Sequence, residues 1–279
     1  MSNKVLKPKK ASLYQFTQKY SNNIDNCIEF FKSMKWPEGF SCDRCGCHKY
    51  YLVKRVGKTK TSYVLECSSC HKQHSLLSGT IFQSCKIDLY KLLLGIFLFF
   101  NENKGISAVD LCSILDVNYK TALLLENKCR ILMSLSNSDK LLNSLFYEAD
   151  VFNIGAKSKN KAGRASEQQP ILGILSTDKE NNYPRFIKLR VITDYTGLSL
   201  KKNIEKCCVL SHDALLNTDG EKGFNTLNEE IQVKNEKISY EEKDHRLLWL
   251  NIIIGNIKNN ITGIYHGITK REMPLFLNE

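Results

Sequence analysis

Leu145-Phe-Tyr-Glu-Ala-Asp-Val-Phe-Asn153 is apolar on both faces, as a central strand is, yet it carries two carboxylates, Glu148 and Asp150, on one face. Burying a carboxylate in such a strand is costly unless something compensates, and a divalent cation does so. Pro170-Ile-Leu-Gly-Ile-Leu-Ser176 and Arg185-Phe-Ile-Lys-Leu-Arg-Val-Ile192 read as two further strands. A helix is expected from about Thr196 to Cys207, and Ala214-Leu-Leu-Asn-Thr218 forms a short strand ending at Asp219-Gly220. Strands interleaved with helices predict an α/β domain. Taken singly, Asp219 reads as a turn residue.

Upstream, Cys42-x2-Cys45-x21-Cys67-x2-Cys70 has ribbon spacing: two knuckles, each donating two thiolates, close a tetrahedral Zn2+ site. The spacer fits a β-hairpin, with Tyr50-Tyr-Leu-Val53 and Ser62-Tyr-Val-Leu65 as strands and Lys54, Arg55, Lys58 and Lys60 in its turn. Those cations suit a DNA backbone, although a charge run also serves as a solvated face. A redox dithiol would need only one pair, while Cys47, His48, His71 and His74 are near enough to exchange as ligands. The total of 11 cysteines is odd, which argues against a secreted disulfide scaffold. Cys85, Cys112 and Cys129 fall in apolar helical patterns, and Cys207–Cys208 shows no partner pattern.

Residues 12 to 36 read as one short helix, with Phe16, Tyr20, Ile24, Cys27, Ile28 and Phe31 at helical spacing. Asp88 caps a core helix whose stripe is Leu89, Leu92, Leu93, Ile96, Phe97 and Phe100. Ser107 with Asp110 then opens a helix ending near Leu115, Asp116-Val-Asn118 is a tight turn, and Asn118 caps a second helix to about Met133. Helix, three-residue turn, helix is the pattern of a helix-turn-helix, with Tyr119, Lys120 and Thr121 facing the bases.

The net charge of +11 favours a polyanionic partner, double-stranded DNA first. The 42% hydrophobic content and five prolines exclude a disordered or collagen-like chain. The longest apolar run, Leu92 to Phe100, is too short for a membrane span, and the first ten residues lack a secretory pattern. The expectation is an intracellular protein, nuclear in a eukaryotic host and cytoplasmic otherwise. No internal repeat is found.

The order of zinc ribbon, Ser78-Gly-Thr-Ile-Phe82, Lys104-Gly-Ile-Ser107, Glu-x-Asp and Thr-Asp-Gly resembles the Merlin-type DDE transposases and their bacterial insertion-sequence relatives, over about residues 38 to 279. The resemblance implies an RNase H-like mixed α/β sheet as the catalytic domain, preceded by the ribbon and a helix-turn-helix. The division is then 1–36 for an N-terminal helical segment, 37–84 for the ribbon, 85–140 for the helix-turn-helix and 141–279 for the RNase H-like domain. It makes Asp150 the first catalytic aspartate and, through Thr218-Asp-Gly-Glu-Lys-Gly-Phe224, Asp219 the second. Ile261-Thr-Gly-Ile-Tyr-His266 matches the family's last element, and the register back from it puts the third position at Asn251 with a companion lysine at Lys258. Seven residues apart, Asn251 and Lys258 share a helix face. Mg2+ or Mn2+ would sit on Asp150, Asp219 and Asn251, and the chain would act as a homo-oligomer on DNA. Lys157, Lys159, Lys161 and Arg164 lie close enough in sequence to hold the DNA backbone.

Several positions depart from the family. Val151 and Phe152 replace a glutamate and a threonine, Arg246 replaces a histidine with His245 one place off, and the chain stops at Glu279 within a helical pattern. Two readings stay open: an active transposase that cuts and joins DNA at transposon ends, and a truncated, decayed or co-opted DNA-binding derivative without catalysis.

Overall fold

The computed structural model describes residues 11–57, 61–102, 105–137, 140–155, 168–178, 183–235, 247–265 and 267–278. Lys58, Lys60, Lys104, Lys157, Lys159, Lys161, Arg164, His245, Arg246 and His266 lie outside the described residues. The chain divides into two compact units, Met1–Leu132 and Met133–Glu279.

The first unit opens with two helices where the periodicity predicts one: α1 (Leu13–Tyr20) and α2 (Ile24–Lys35). The break falls at Ser21-Asn22-Asn23 because Asn23 caps α2, its side chain accepting the Asn26 N–H at 3.2 Å, which satisfies a donor the helix start would otherwise orphan. Three antiparallel strands follow, β1 (Tyr50–Val56), β2 (Thr61–Cys67) and β3 (Gln73–Ser75), in that spatial order. Lys54 and Arg55 stand on β1 opposite Tyr63 and Ser62, on the strand and not in the turn as the sequence suggests.

Helix α3 (Leu89–Asn101) is capped by Asp88, which accepts the Lys91 N–H at 2.8 Å. It buries Leu89, Leu92, Leu93, Gly95, Leu98 and Phe99, whereas Phe100 is exposed. The expected single stripe fails because the helix packs on two sides. Phe97 stacks on Phe16 of α1 at 4.2 Å. On the other side, a Cβ at Gly95 would come 2.5 Å from Leu125 and 2.9 Å from Leu115. Those leucines belong to α5 (Tyr119–Asn137) and α4 (Ala108–Leu115). Ser107 caps α4, Asp116 ends it in a left-handed conformation, and Asn118 accepts the Thr121 N–H at 2.8 Å to start α5. The two helices and their three-residue turn thus form as expected, with Tyr119 and Lys120 exposed. Cys85 is buried in the loop before α3, outside any helix.

The second unit is a five-stranded mixed sheet in the order β6-β5-β4-β7-β8. Its strands are β4 (Phe146–Ile154), β5 (Gln169–Asp178), β6 (Tyr183–Val191), β7 (Leu215–Thr218) and β8 (Gln232–Asn235). The first three in sequence form an antiparallel meander, and β7 and β8 add in parallel on the far side of β4. Helix α6 (Gly197–Glu205) connects the halves, and α7 (Leu248–Gly263) and α8 (Met273–Phe276) complete the unit. This is an RNase H-like sheet. Its central strand is covered on both faces: Tyr147 and Ala149 pack in a core with Leu200, Ile204 and Phe224, while Phe152 and Ile154 pack with Leu250, Ile254, Ile261 and Phe276. Alternation along β4 therefore decides which residues face α7. They are the even-numbered ones, Glu148 and Asp150 among them.

Candidate active site and metal centre

Parallel pairing of β4 with β7 matches Glu148 to Asn217 and Ala149 to Thr218. Asp150 is the next residue on β4 and Asp219 directly follows β7, so the register brings the two aspartates close enough for their charges to interact. Burial pushes the Asp150 carboxyl above its ordinary value. The Val151 N–H, donating to Asp150 Oδ1 at 2.7 Å, opposes this. The charge of Asp219 adds to the rise, Lys258 opposes it, and Glu221 adds again. Three charged groups from two other segments thus act on one side chain. Glu221, which sequence reasoning passed over as a spacer position, belongs to this group; the acidic run Asp219-Gly-Glu221 was its only signal.

Helix α7 brings Asn251, Gly255 and Lys258 along one face, with Asn251 and Lys258 exposed. Among the described residues, a Cβ at Gly255 would meet nothing within 4 Å. The Lys258 Nζ lies 5.7 Å from the centroid of the Phe152 ring, two residues along β4 from Asp150. Among the described residues, no His, Cys, Asp or Glu joins Asp150 and Asp219 in a group of three at ligating distance. The two carboxylates that interact here are hard oxygen donors, the kind that fit Mg2+ or Mn2+.

Glu148 departs from expectation. It is 3% exposed, and its Oε2 accepts the Leu250 N–H at 2.8 Å. The Leu250 N–H at the start of α7 is the partner that meets its burial, a partner nothing in the local sequence announces. Burial pushes its pKa up to about 7, with the Leu250 N–H opposing.

The cysteine site is built by local geometry. In the first knuckle Cys42 O accepts from Gly46 N at 2.8 Å, and Cys42 N donates to Cys47 O at 3.0 Å. In the second, Cys67 O accepts from His71 N at 3.0 Å, and Cys67 N donates to Lys72 O at 2.9 Å. Gly46 and His71 both take positive φ, +71° and 57°, so the two knuckles are copies of one turn. The sulfurs of Cys42, Cys45, Cys67 and Cys70 lie within 4.8 Å of one another, with Cys42–Cys70 at 3.6 Å and Cys45–Cys67 at 3.5 Å. Zn–S bonds of roughly 2.3 Å in a tetrahedron require sulfur edges of about 3.8 Å, so the four thiolates fit zinc with little adjustment. Of the neighbours, Cys47 bonds Ser68 and Lys49, His48 bonds Phe40 O, and His71 bonds Glu66. His74 is buried beside Asp43 and Cys42, forming a second group within ligating distance.

The chain thus joins a four-cysteine ribbon to an RNase H-like sheet that carries Asp150 within β4 and Asp219 directly after β7, the domain pairing of a transposase. Residues 145–279 match the model described as the ISXO2-like transposase domain, and residues 23–73 match the transposase zinc-ribbon domain, both of the IS1595 type. Both recognised domains are those of an IS1595-type insertion-sequence transposase. The ribbon match takes in α2. No curated protein matches the chain. Among solved structures, the catalytic core domain of BIV integrase is similar at 16% identity and a TM-score of 0.30, over 48% of this chain and 80% of that one. No helix among the described residues is long and apolar enough to cross a membrane.

Proposed function

We propose that the chain binds double-stranded DNA at the ends of a mobile element and catalyses strand cleavage and strand transfer there, with Mg2+ or Mn2+ on Asp150, Asp219 and Asn251. The observation that carries this reading is the shared register of β4 and β7, which delivers two aspartates side by side from strands far apart in sequence. Ordinary packing has no use for two like charges brought together at the centre of a sheet. Two-metal sites activate the attacking oxygen of an in-line displacement and stabilise the leaving one.

The residues divide the remaining work. Asp150, half-buried, fixes one side of the cleft, and Asp219, exposed, the other. Asn251 contributes a neutral oxygen from α7, and Lys258, one face along, holds a phosphate. The space at Gly255, clear among the described residues, leaves room for the DNA backbone between them. The ribbon holds one Zn2+ on Cys42, Cys45, Cys67 and Cys70 for structure. Lys54 and Arg55 on β1, with Tyr119, Lys120 and Thr121 at the start of α5, contact DNA. Phosphate contacts give most of the affinity, and base contacts from α5 give the sequence preference.

The test is strand transfer on DNA carrying the element's ends, with and without divalent metal. Asp150→Asn and Asp219→Asn should each abolish joining while leaving DNA binding intact. Full activity in either variant overturns the assignment. DNA binding without any metal-dependent joining by the wild type would select the non-catalytic derivative instead.

A further inference from the structure

Among the described residues helix α7 has no local cap: Leu247 occupies the N-cap position and makes no side-chain cap hydrogen bond. An α-helix leaves its first N–H groups without intrahelical partners, and a buried helix start needs an acceptor. That acceptor comes from 102 residues away, where Glu148 Oε2 takes the Leu250 N–H at 2.8 Å. The pairing rests on reach: the carboxyl oxygen supplies a buried acceptor for an N–H that water does not serve there. The hydrogen bond itself fixes the orientation of Glu148, with Oε2 turned to the first turn of α7.

We propose that Glu148 is a positioning residue: as the tertiary cap of α7 it sets where that helix starts over β4, and thereby where Asn251 and Lys258 stand relative to Asp150. The proposal rests on the functional reading above for its consequence, though not for its geometry. The rigid rise of a helix, roughly 1.5 Å per residue, carries the constraint. Leu250 directly precedes Asn251, and Lys258 lies two turns on. Glu148 and Asp150 share one strand face, so cap and site are held in a single rigid piece of backbone. Gly173 completes the seat, since a Cβ there would press on Leu250 at 3.2 Å and on Phe152 at 3.3 Å. The two carboxylates of Glu-x-Asp therefore have different tasks: Asp150 faces the reaction, and Glu148 holds the opposite wall.

Two substitutions separate reach from charge in the full-length, zinc-loaded protein. Glu148→Gln keeps the length and the acceptor oxygen but loses the charge. Glu148→Asp keeps the charge but is one methylene too short to reach the Leu250 N–H. Mutating partners of this supporting kind costs about 10–100-fold in activity or metal affinity. Glu148→Asp should show that loss in strand-transfer rate at saturating DNA and in Mn2+ affinity, with DNA affinity unchanged. Glu148→Gln should restore both to near wild type. Hydrogen exchange at the Leu250 amide supplies a readout independent of catalysis, slow in wild type and Glu148→Gln and fast in Glu148→Asp. Loss in Glu148→Gln with retention in Glu148→Asp would overturn the proposal in favour of a charge-dependent role. Unchanged behaviour in both overturns it outright. If the wild type joins no DNA, the transposase reading fails, and the capping role stands or falls on the Leu250 amide.

Discussion

Gly173 stands directly opposite Asp150 across the antiparallel β4–β5 pair, and the space its missing side chain leaves is filled by Leu250 of α7 and Phe152 of β4. A glycine in a central strand ordinarily weakens it. Here it lets the helix settle against the sheet beside the aspartate. Gly173→Val should overpack this seat and cost about 1–3 kcal/mol. Urea unfolding measures it, and unchanged stability would mean that α7 does not rest there.

Zinc should be stoichiometric, one per chain, and removable only with loss of structure, because a structural site contributes folding energy outright. Cys67→Ser should lose the metal and unfold the ribbon. Trp36 reports this conveniently, since its ring packs edge-on to Phe40 and His74 at 5.2 and 6.3 Å. A zinc-free protein with native Trp36 emission would refute the role.

Glu148 makes the stability of the metal-free sheet depend on pH. Burial raises its carboxyl from 4.5 to about 7. Between those values the folded chain holds a proton that the unfolded chain has released. Stability therefore falls as pH rises from about 4.5 to about 7 and is level above. The span corresponds to about 3 kcal/mol at most. Comparing unfolding of the wild type with Glu148→Gln across this window isolates the contribution. Parallel curves would show that the carboxyl is not desolvated.

What the sequence made legible was local. The knuckles follow from spacing and turn chemistry, and the central strand from its apolar run, so the ribbon and the RNase H-like sheet could be read in advance. The caps at Asp88, Ser107 and Asn118 were legible for the same reason: donor and acceptor lie three residues apart. Long-range partnership was not. Nothing near Glu148 names Leu250 as its partner, so its burial was charged to a cation. The break at Ser21-Asn22-Asn23 was hidden by a hydrophobic pattern that continues in phase across it. Periodicity puts Phe100 in the core and the structure leaves it exposed, because periodicity cannot tell which of two sides a helix packs.

DNA binding should survive loss of the acidic site and depend steeply on salt, given a net charge of +11. Lys120→Ala should weaken binding and reduce the salt slope by about 1 if Lys120 meets a phosphate. Asp150→Ala should leave the affinity unchanged. Titrations by fluorescence anisotropy at several salt concentrations check all three. Salt-insensitive binding would remove the electrostatic basis of the interface.

Asn251 gives the most discriminating substitution. If its carboxamide oxygen is the third ligand, the site holds its metal with two negative charges, and Asn251→Asp would supply a third with nearly the same shape. Affinity of hard cations for oxygen sites rises with the charge of the ligand set. Mn2+ should then bind tighter by about tenfold, which is about 1.4 kcal/mol. The side effects are small. Asn251 is exposed and lies in the first turns of α7, where an added carboxylate is favoured by roughly 0.3–1 kcal/mol, so thermal stability without metal should rise slightly or stay level. That separation makes the measurement decisive. Tighter Mn2+ binding that disappears in the Asn251→Asp, Asp150→Asn double variant locates the metal between the helix and the strand. Tighter binding that persists in the double variant, or none at all, would place the third ligand elsewhere. Glu221 would then be the first residue to test, because its charge already acts on Asp150.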